Sequence, residues 1–469
     1  MQSRLLGSKK KALILLAIVC VLVRLFIWLS FNPRQFADTK EYEGHALCIK
    51  TLYASKDSLA RAGDRTPLYP LLILACGFNR GLIWFVQSVM GVAIAFILFG
   101  LAYRDTRNAA VSFFVSLWYT LSPNLIYLEP VVLSETLSGF LIILSVLATV
   151  RILDAQGFTP GRYVCLGLVV ALAGLTRPNL LTIAPIYLAL ILFQRYVGAS
   201  GRLQRLKAST GYAIPIVVLM LAWCTCTWRA VGVFAPTTIT GYSLSQHSGG
   251  FIEYAPDRYA TIRDIYLKYR AERAKTGKGH QNLIWDAYWD MRNATRLSHV
   301  ELSKELARMS IGLFARHPLL YLKSVFKAWA RFWAASYLIF LDGIKIVPLV
   351  TPLRYLFLAH RCADVLINFL FLVISLCALY ALARRRKLPG WDFRLLLMAL
   401  ILTQSVGQAF VEFAENGRYG LPFQPLTAYV VMATLWYRFR RGTDERQSRG
   451  DTDSRLGMEH PASETSAAG

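Results

Sequence analysis

Lys9-Lys10-Lys11, then Ala12-Leu13-Ile14-Leu15-Leu16-Ala17-Ile18-Val19-Cys20-Val21-Leu22-Val23-Arg24-Leu25-Phe26-Ile27-Trp28-Leu29-Ser30, then Phe36-Ala37-Asp38-Thr39-Lys40-Glu41-Tyr42: this passage decides the fold. The apolar run has about the length that crosses the hydrocarbon of a bilayer as one helix. A cleavable signal peptide has a shorter apolar core and a small-residue cleavage site, so the run is expected to stay as an anchor with its amino end inside. The charged residues after it then emerge at the outer surface. They open a long polar loop that closes at Arg65-Thr66-Pro67-Leu68-Tyr69-Pro70. Long polar loops between apolar segments tend to carry function.

The same alternation continues outward along the chain. Apolar runs recur at 81–103, 109–127, 131–152, 163–175, 180–193, 211–228, 363–382, 393–410 and 421–437. With 55% hydrophobic and 13% aromatic residues and a mean hydropathy of +0.41, the chain is too apolar for a soluble core of its size. The expectation is an all-α polytopic membrane protein of about ten, at most about twelve, transmembrane helices, with extracytoplasmic loops forming a small helical cap.

The formal charge of +24 raises the question of nucleic acid. The basic residues fall in short loops between apolar runs, however, so membrane topology accounts for them and no nucleic-acid partner is expected. Arg104, Arg107, Arg151, Arg162, and the stretches 195–207, 384–387 and 438–441 all land on one side, which the positive-inside rule makes cytoplasmic. Both termini are then inside, and the expected location is the plasma (inner) membrane. The loop 36–70 and the turns 122–130, 176–179 and 412–418 are expected outside.

The divisions follow. Residues 1–230 form a transmembrane module with its first outer loop at 31–80, and 231–358 form an extracytoplasmic segment with interfacial helices. Residues 359–438 return to transmembrane helices, and 439–469 read as a disordered cytoplasmic tail. Ser298-His299-Val300-Glu301 has the capping-box pattern of a helix start. After Pro318, apolar Leu322, Phe326, Trp329 and Trp333 run beside Lys323, Lys327 and Arg331, the composition of a helix lying in the membrane interface. The cysteines are scattered among apolar runs and suggest no disulfide framework. Neither Cys224-Thr225-Cys226 nor His247 has metal-ligand spacing to a partner, so no metal site is expected from the sequence.

The candidate chemistry lies at the outer face. Asp38 and Glu41 are three residues apart, so on a helical turn both carboxylates face one way, placed for general-base work; an ordinary solvated acidic loop is the plainer alternative. Arg65, Arg177, Lys323 and Arg418 stand at outer helix ends or turns, where a guanidinium can grip a phosphate; each could equally be an interfacial anchor. Glu135, in Leu133-Ser134-Glu135-Thr136-Leu137, sits near the outer end of a span, where a charge is costly; capping its helix is the alternative. Tyr42 completes the candidates.

Asp38-Thr39-Lys40-Glu41-Tyr42, Arg65-Thr66-Pro67-Leu68-Tyr69-Pro70, Ser122-Pro123-Asn124, Leu133-Ser134-Glu135-Thr136-Leu137, Leu175-Thr176-Arg177-Pro178 and Arg418-Tyr419-Gly420-Leu421-Pro422, in this order, resemble the GT-C glycosyltransferases of the protein-mannosyltransferase and aminoarabinose-transferase type, glycosyltransferase family 39. The resemblance spans Asp38 to about Pro425. It implies transfer of a sugar, a hexose or pentose, from a polyprenyl-phosphate donor to a lipid, glycan or protein acceptor at the extracytoplasmic face, with inversion. It makes Asp38 the base, with Glu41 beside it. It also makes Arg418, and with it Arg177, the partners of the donor phosphate. The family often has an Asp-Glu pair where Asp38 is followed here by Thr39, which leaves metal dependence open and no cofactor assigned. The competing class is a flippase or transporter of a lipid-linked or anionic substrate, for which internal repeats and charges at the membrane midplane would be expected.

Overall fold

A computed structural model of the chain describes residues 8–36, 38–51, 63–155, 157–193, 201–335, 343–384 and 392–456. Part of the first outer loop, residues 194–200 with Arg195, the basic residues 385–387, and the last stretch of the tail lie outside them.

The architecture is helical, with two isolated bridges, Phe31 to Ile344 and Arg34 to Val131, among the described residues. In chain order the helices are α1 (Lys9–Ser30), α2 (Thr39–Lys50), α3 (Leu68–Ala75), α4 (Arg80–Thr106), α5 (Ala109–Thr120), α6 (Pro123–Ile126), α7 (Glu135–Leu153) and α8 (Pro160–Thr176). After a 3-10 turn at Pro178–Ile183 come α9 (Ala184–Phe193) and α10 (Arg202–Val231). The segment that follows holds α11 (Thr240–Ser248), α12 (Ala260–Ala274), α13 (Leu283–Asp286), α14 (Tyr288–Thr295), α15 (His299–Arg316) and α16 (Pro318–Trp333). The chain ends with α17 (Val350–Ala383), α18 (Asp392–Val411), α19 (Asn416–Gly420) and α20 (Gln424–Leu456). The last helix continues past residue 439, into the segment expected to be a disordered tail.

All ten apolar runs are helical. Six helices among the described residues are long and apolar enough to cross a membrane, and 109–120, 160–176 and 178–193 are shorter apolar helices. The short ones reflect breaks in the chain: Pro123 restarts the helix after α5, and Pro178 follows the extended Arg177 at the end of α8. Proline cannot continue a hydrogen-bonded ladder and biases the residue before it away from helix, so each run is divided where its outer end carries polar residues.

Close packing needs small residues at two crossings. A methyl group on Gly167 of α8 would strike the backbone of Tyr212 in α10. Another, on Gly91 of α4, would strike the buried ion pair of Arg24 and Glu129, in which Arg24 Nη2 donates to Glu129 Oε1 at 2.7 Å. That pair links the first span to the turn before α7. Gln87 holds the same turn, its Nε2 donating to the carbonyls of Glu129 and Val131.

Residues 239–314 build a cap with its own core, including Tyr242, Ile252, Tyr266, Ile284, Met291, Leu302, Leu306 and Met309. The capping box forms as expected: Glu301 N–H donates to Ser298 Oγ, and Ser298 N–H donates to a Glu301 carboxylate oxygen. Helix α16 buries Val325, Ala328, Phe332 and Trp333 and leaves Leu319, Leu322, Phe326, Lys323 and Lys327 exposed. Its two faces suit a helix with protein on one side and an amphipathic interface on the other.

Candidate functional site

Asp38 caps the start of α2, and its backbone is clamped from the next residue. The Phe36 N–H donates to Thr39 Oγ1 at 2.8 Å, and that hydroxyl donates to the Val132 carbonyl at 3.1 Å. Thr39, which departs from the Asp-Glu pairing of the resembled family, is fully buried and fastens Asp38 to the segment that leads into Ser134 and Glu135. From the other end of the loop, Thr66 Oγ1 donates to the Thr176 carbonyl at 2.8 Å, which sets Arg65 beside Arg177 in the chain's packing.

These clamps bring together residues from five separate stretches. Arg65 Nη2 lies 3.1 Å from Asp38 Oδ1, and its Nε donates to Glu41 Oε2 at 2.9 Å. Arg418 Nη2 donates to the other Asp38 oxygen, Oδ2, at 2.8 Å, its Nη1 to Glu415 Oε2 at 2.9 Å, and its Nε to Glu135 Oε1. Arg177 Nη2 meets the same Glu135 oxygen at 2.7 Å. Ser134 Oγ accepts from Arg177 Nε at 2.8 Å and bonds the Tyr42 hydroxyl at 2.9 Å. The result is a continuous chain of alternating charge, from Glu41 through Arg65, Asp38, Arg418 and Glu135 to Arg177. Aromatic faces back the cations: Tyr42 lies under Arg65, Phe36 under Arg418 and Tyr419 under Arg177.

Asp38, Glu41, Arg65, Arg177, Arg418, Glu135 and Tyr42, all singled out in the sequence, are thus neighbours in space. Glu135 bridges two arginines instead of only capping its helix. Lys323 makes none of these contacts and is exposed on α16.

The electrostatics follow from the pairing. Burial alone would raise the Asp38 carboxyl, but the guanidiniums of Arg65 and Arg418 outweigh it and hold the group at about 2. Burial likewise works against the charge on Arg65 and Arg418, and the facing carboxylates keep both well above the ordinary arginine value. Within this row of charges two polar atoms, Arg177 Nη1 and Glu135 Oε2, are buried without a hydrogen-bond partner among the described residues. A buried unpaired donor or acceptor costs about 1–3 kcal/mol, so such atoms are places where a ligand gains by binding.

Different surroundings flank the chain of charges. Arg65, Arg177, Tyr42 and Tyr419 wall a cavity of about 130 Å³ in which polar side chains mix with Pro178, Ile239 and Val411. Glu135 also lines a narrow crevice of about 20 Å³ with Ile94, Leu125, Leu128, Ile143 and Leu421. Among the described residues no group of three or more His, Cys, Asp or Glu side chains converges as a metal-binding set. The carboxylates of the cluster face guanidiniums.

Three features escaped the sequence. Glu412 is buried on the cavity wall, and burial, helped by the nearby Glu415 charge, pushes its carboxyl up to about 7. Asp64 and His299 meet at 2.9 Å, buried, joining the first outer loop to the cap. Arg24, the one charge in the first apolar run, pairs with Glu129. The lone intramembrane arginine was the available signal, because a charge there requires a partner.

No family model matches the chain, and no curated protein sequence matches it. Among solved structures, the archaeal oligosaccharyltransferase AglB from Archaeoglobus fulgidus, in complex with an inhibitory peptide and a dolichol-phosphate, aligns with 97% of this chain and 52% of its own, at 13% identity and a TM-score of 0.48. The chain spans about half the length of that protein, and a likeness at this level assigns it to no family.

Proposed function

We propose that the protein is an integral-membrane glycosyltransferase that moves a sugar from a polyprenyl-phosphate donor to an acceptor hydroxyl at the extracytoplasmic face, with inversion. The observation that carries this is the row of three arginines interleaved with carboxylates at one end of a helical membrane protein. Guanidiniums suit a phosphate leaving group, since they hold fixed donors where negative charge grows as the bond to the sugar breaks. Lipid burial contributes about 0.8 kcal/mol per CH₂, so the inert polyprenyl tail can hold the reacting head in place.

The step balances simply. The acceptor oxygen attacks the anomeric carbon, the bond from that carbon to the phosphate oxygen breaks with its electron pair going to the phosphate, and the acceptor's proton passes to Asp38. In the free protein Asp38 is a weak base, because two guanidiniums stabilise its charge. A donor phosphate that draws on Arg418 and Arg65 loosens those pairs and raises the proton affinity of Asp38, so the base gains strength when the donor is bound. Glu41 holds Arg65 through Nε and through the Nη2 that Asp38 also meets, and orients it.

Sugar transfer by purified, membrane-inserted variants tests the assignment. Asp38→Asn keeps the size and one of the two oxygens that face the arginines but cannot take the proton, and its turnover is expected to fall by roughly 10²–10⁴-fold with donor binding retained. Glu41→Gln is expected to cost less. Normal turnover in both removes this loop from the chemistry. Lipid movement without transfer in the wild type identifies a transporter instead.

A further inference from the structure

The cavity beside the arginines has a composition the charge chain does not explain. Besides Arg65 and Arg177, its wall carries the hydroxyls of Thr66, Thr176, Thr240 and Ser243 and the amides of Asn179 and Gln408. These are neutral donors and acceptors on a rigid frame: Asn179 Nδ2 donates to Gln408 Oε1 at 2.6 Å, fixing both amides between the turn after α8 and the end of α18. Glu412 sits on the same wall, 7% exposed, with the Ala414 N–H donating to its Oε1 at 3.0 Å. No cation pairs with it among the described residues, unlike the carboxylates of the charge chain. Arg177, also 7% exposed, lines the same cavity and has a buried guanidinium nitrogen, Nη1, with no hydrogen-bond partner among the described residues.

A ligand matching this wall is a neutral ring with several hydroxyls joined to a phosphate. The hydroxyls supply both donors and acceptors to the amides and threonines, and an acceptor carboxylate takes hydrogen bonds from ring hydroxyls. The phosphate would take the open nitrogen of Arg177. A lipid-linked sugar has that form, with its tail on one side of the phosphate and its sugar on the other.

We infer that the cavity is the subsite for the donor's sugar ring, an uncharged polyol, and that Glu412 reads one of its hydroxyls. This rests on the transfer proposed above and adds which surface selects the sugar. Glu412 is then a specificity residue, separate from Asp38, which does not line the cavity.

Affinity measurements on the full-length protein in nanodiscs at about pH 8, where the Glu412 carboxyl has released its proton, separate the two claims. The probes are undecaprenyl phosphate alone and undecaprenyl phosphate carrying a glucosyl, mannosyl or arabinosyl group. The wild type is expected to bind at least one glycosylated lipid about tenfold or more tightly than the bare one, the scale of a hydrogen bond to a charged group. Glu412→Gln is expected to erase most of that advantage, and Ser243→Ala part of it. Binding of the bare lipid by each variant reports that it is folded. Equal affinity of the wild type for all four lipids, or a full sugar advantage retained in both variants, overturns the subsite. By contrast, bare-lipid binding untouched by Arg418→Ala overturns the phosphate role on which the transfer rests, whatever the sugar does.

Discussion

Two carboxylates of the site region answer pH in opposite senses. Asp38, held at about 2 against an ordinary 3.8, contributes stability that is present above 3.8 and lost as pH falls through 2. Glu412, raised from 4.5 to about 7 by burial, keeps its proton in the folded state where the unfolded chain has released it. Its contribution is therefore full below 4.5 and declines as pH rises toward 7. Glu412→Gln has no proton to lose, so denaturation measured from pH 4.5 to 7.5 is expected to show the wild type losing up to about 3 kcal/mol relative to the variant. Parallel profiles for the two proteins would mean that the carboxyl ionises without cost. At this scale the sequence was legible where a charge stood at an outer helix end: Asp38, Glu41, Arg65, Glu135, Arg177 and Arg418 were all visible as such. Lys323 had the same appearance, and only packing separates it from the others. Glu412 was hidden because its significance lies in having no cation beside it, a property of the folded surroundings.

Among the elements, the cap is fastened to the first outer loop by a small buried network. Asp64 Oδ1 contacts His299 Nε2 and accepts from Thr238 Oγ1 at 2.6 Å, while Thr238 N–H donates to the Gly63 carbonyl at 2.8 Å. The Tyr288 hydroxyl lies 2.9 Å from His299 Nδ1, which fits a ring donating to Asp64 and accepting from tyrosine. Arg65 follows Asp64 directly, so this latch helps fix a guanidinium of the site. Asp64→Ala and His299→Ala each leave a buried partner unsatisfied, a loss of about 1–3 kcal/mol. Hydrogen exchange is expected to quicken in 238–248 and 299–310 while α4 and α7 stay protected; unchanged exchange in the cap would reduce the contact to an incidental one. The helices themselves were readable from apolar runs, prolines and the Ser298 capping box. The latch was not, since Asp64 and His299 are 235 residues apart and nothing local marks either as a partner.

Over the whole molecule, polar residues gather at two ends. Asp38, Glu135, Arg177 and Arg418 meet at one, and Arg104 with Asp154 and Asp105 with Tyr429 at the other. The positive-inside count of basic residues leads us to expect the second end on the cytoplasmic side. Single cysteines at Lys278, exposed on the cap, and at Arg107, exposed at the other end, are the probes, in an otherwise cysteine-free chain. An impermeant thiol reagent applied to intact cells is expected to label the first alone, and labelling at 107 would invert the orientation. The Arg24 and Glu129 pair also bears on how such a molecule is made. Synthesis runs from the amino end, and Glu129 emerges 105 residues after Arg24. Until then α1 rests in lipid with a bare guanidinium, at a cost of about 2.5–3.5 kcal/mol at the centre of a span, offset by the apolar residues around it. Helix α1 is thus only provisionally settled in the bilayer until the ribosome delivers the turn before α7, whose carboxylate completes its insertion.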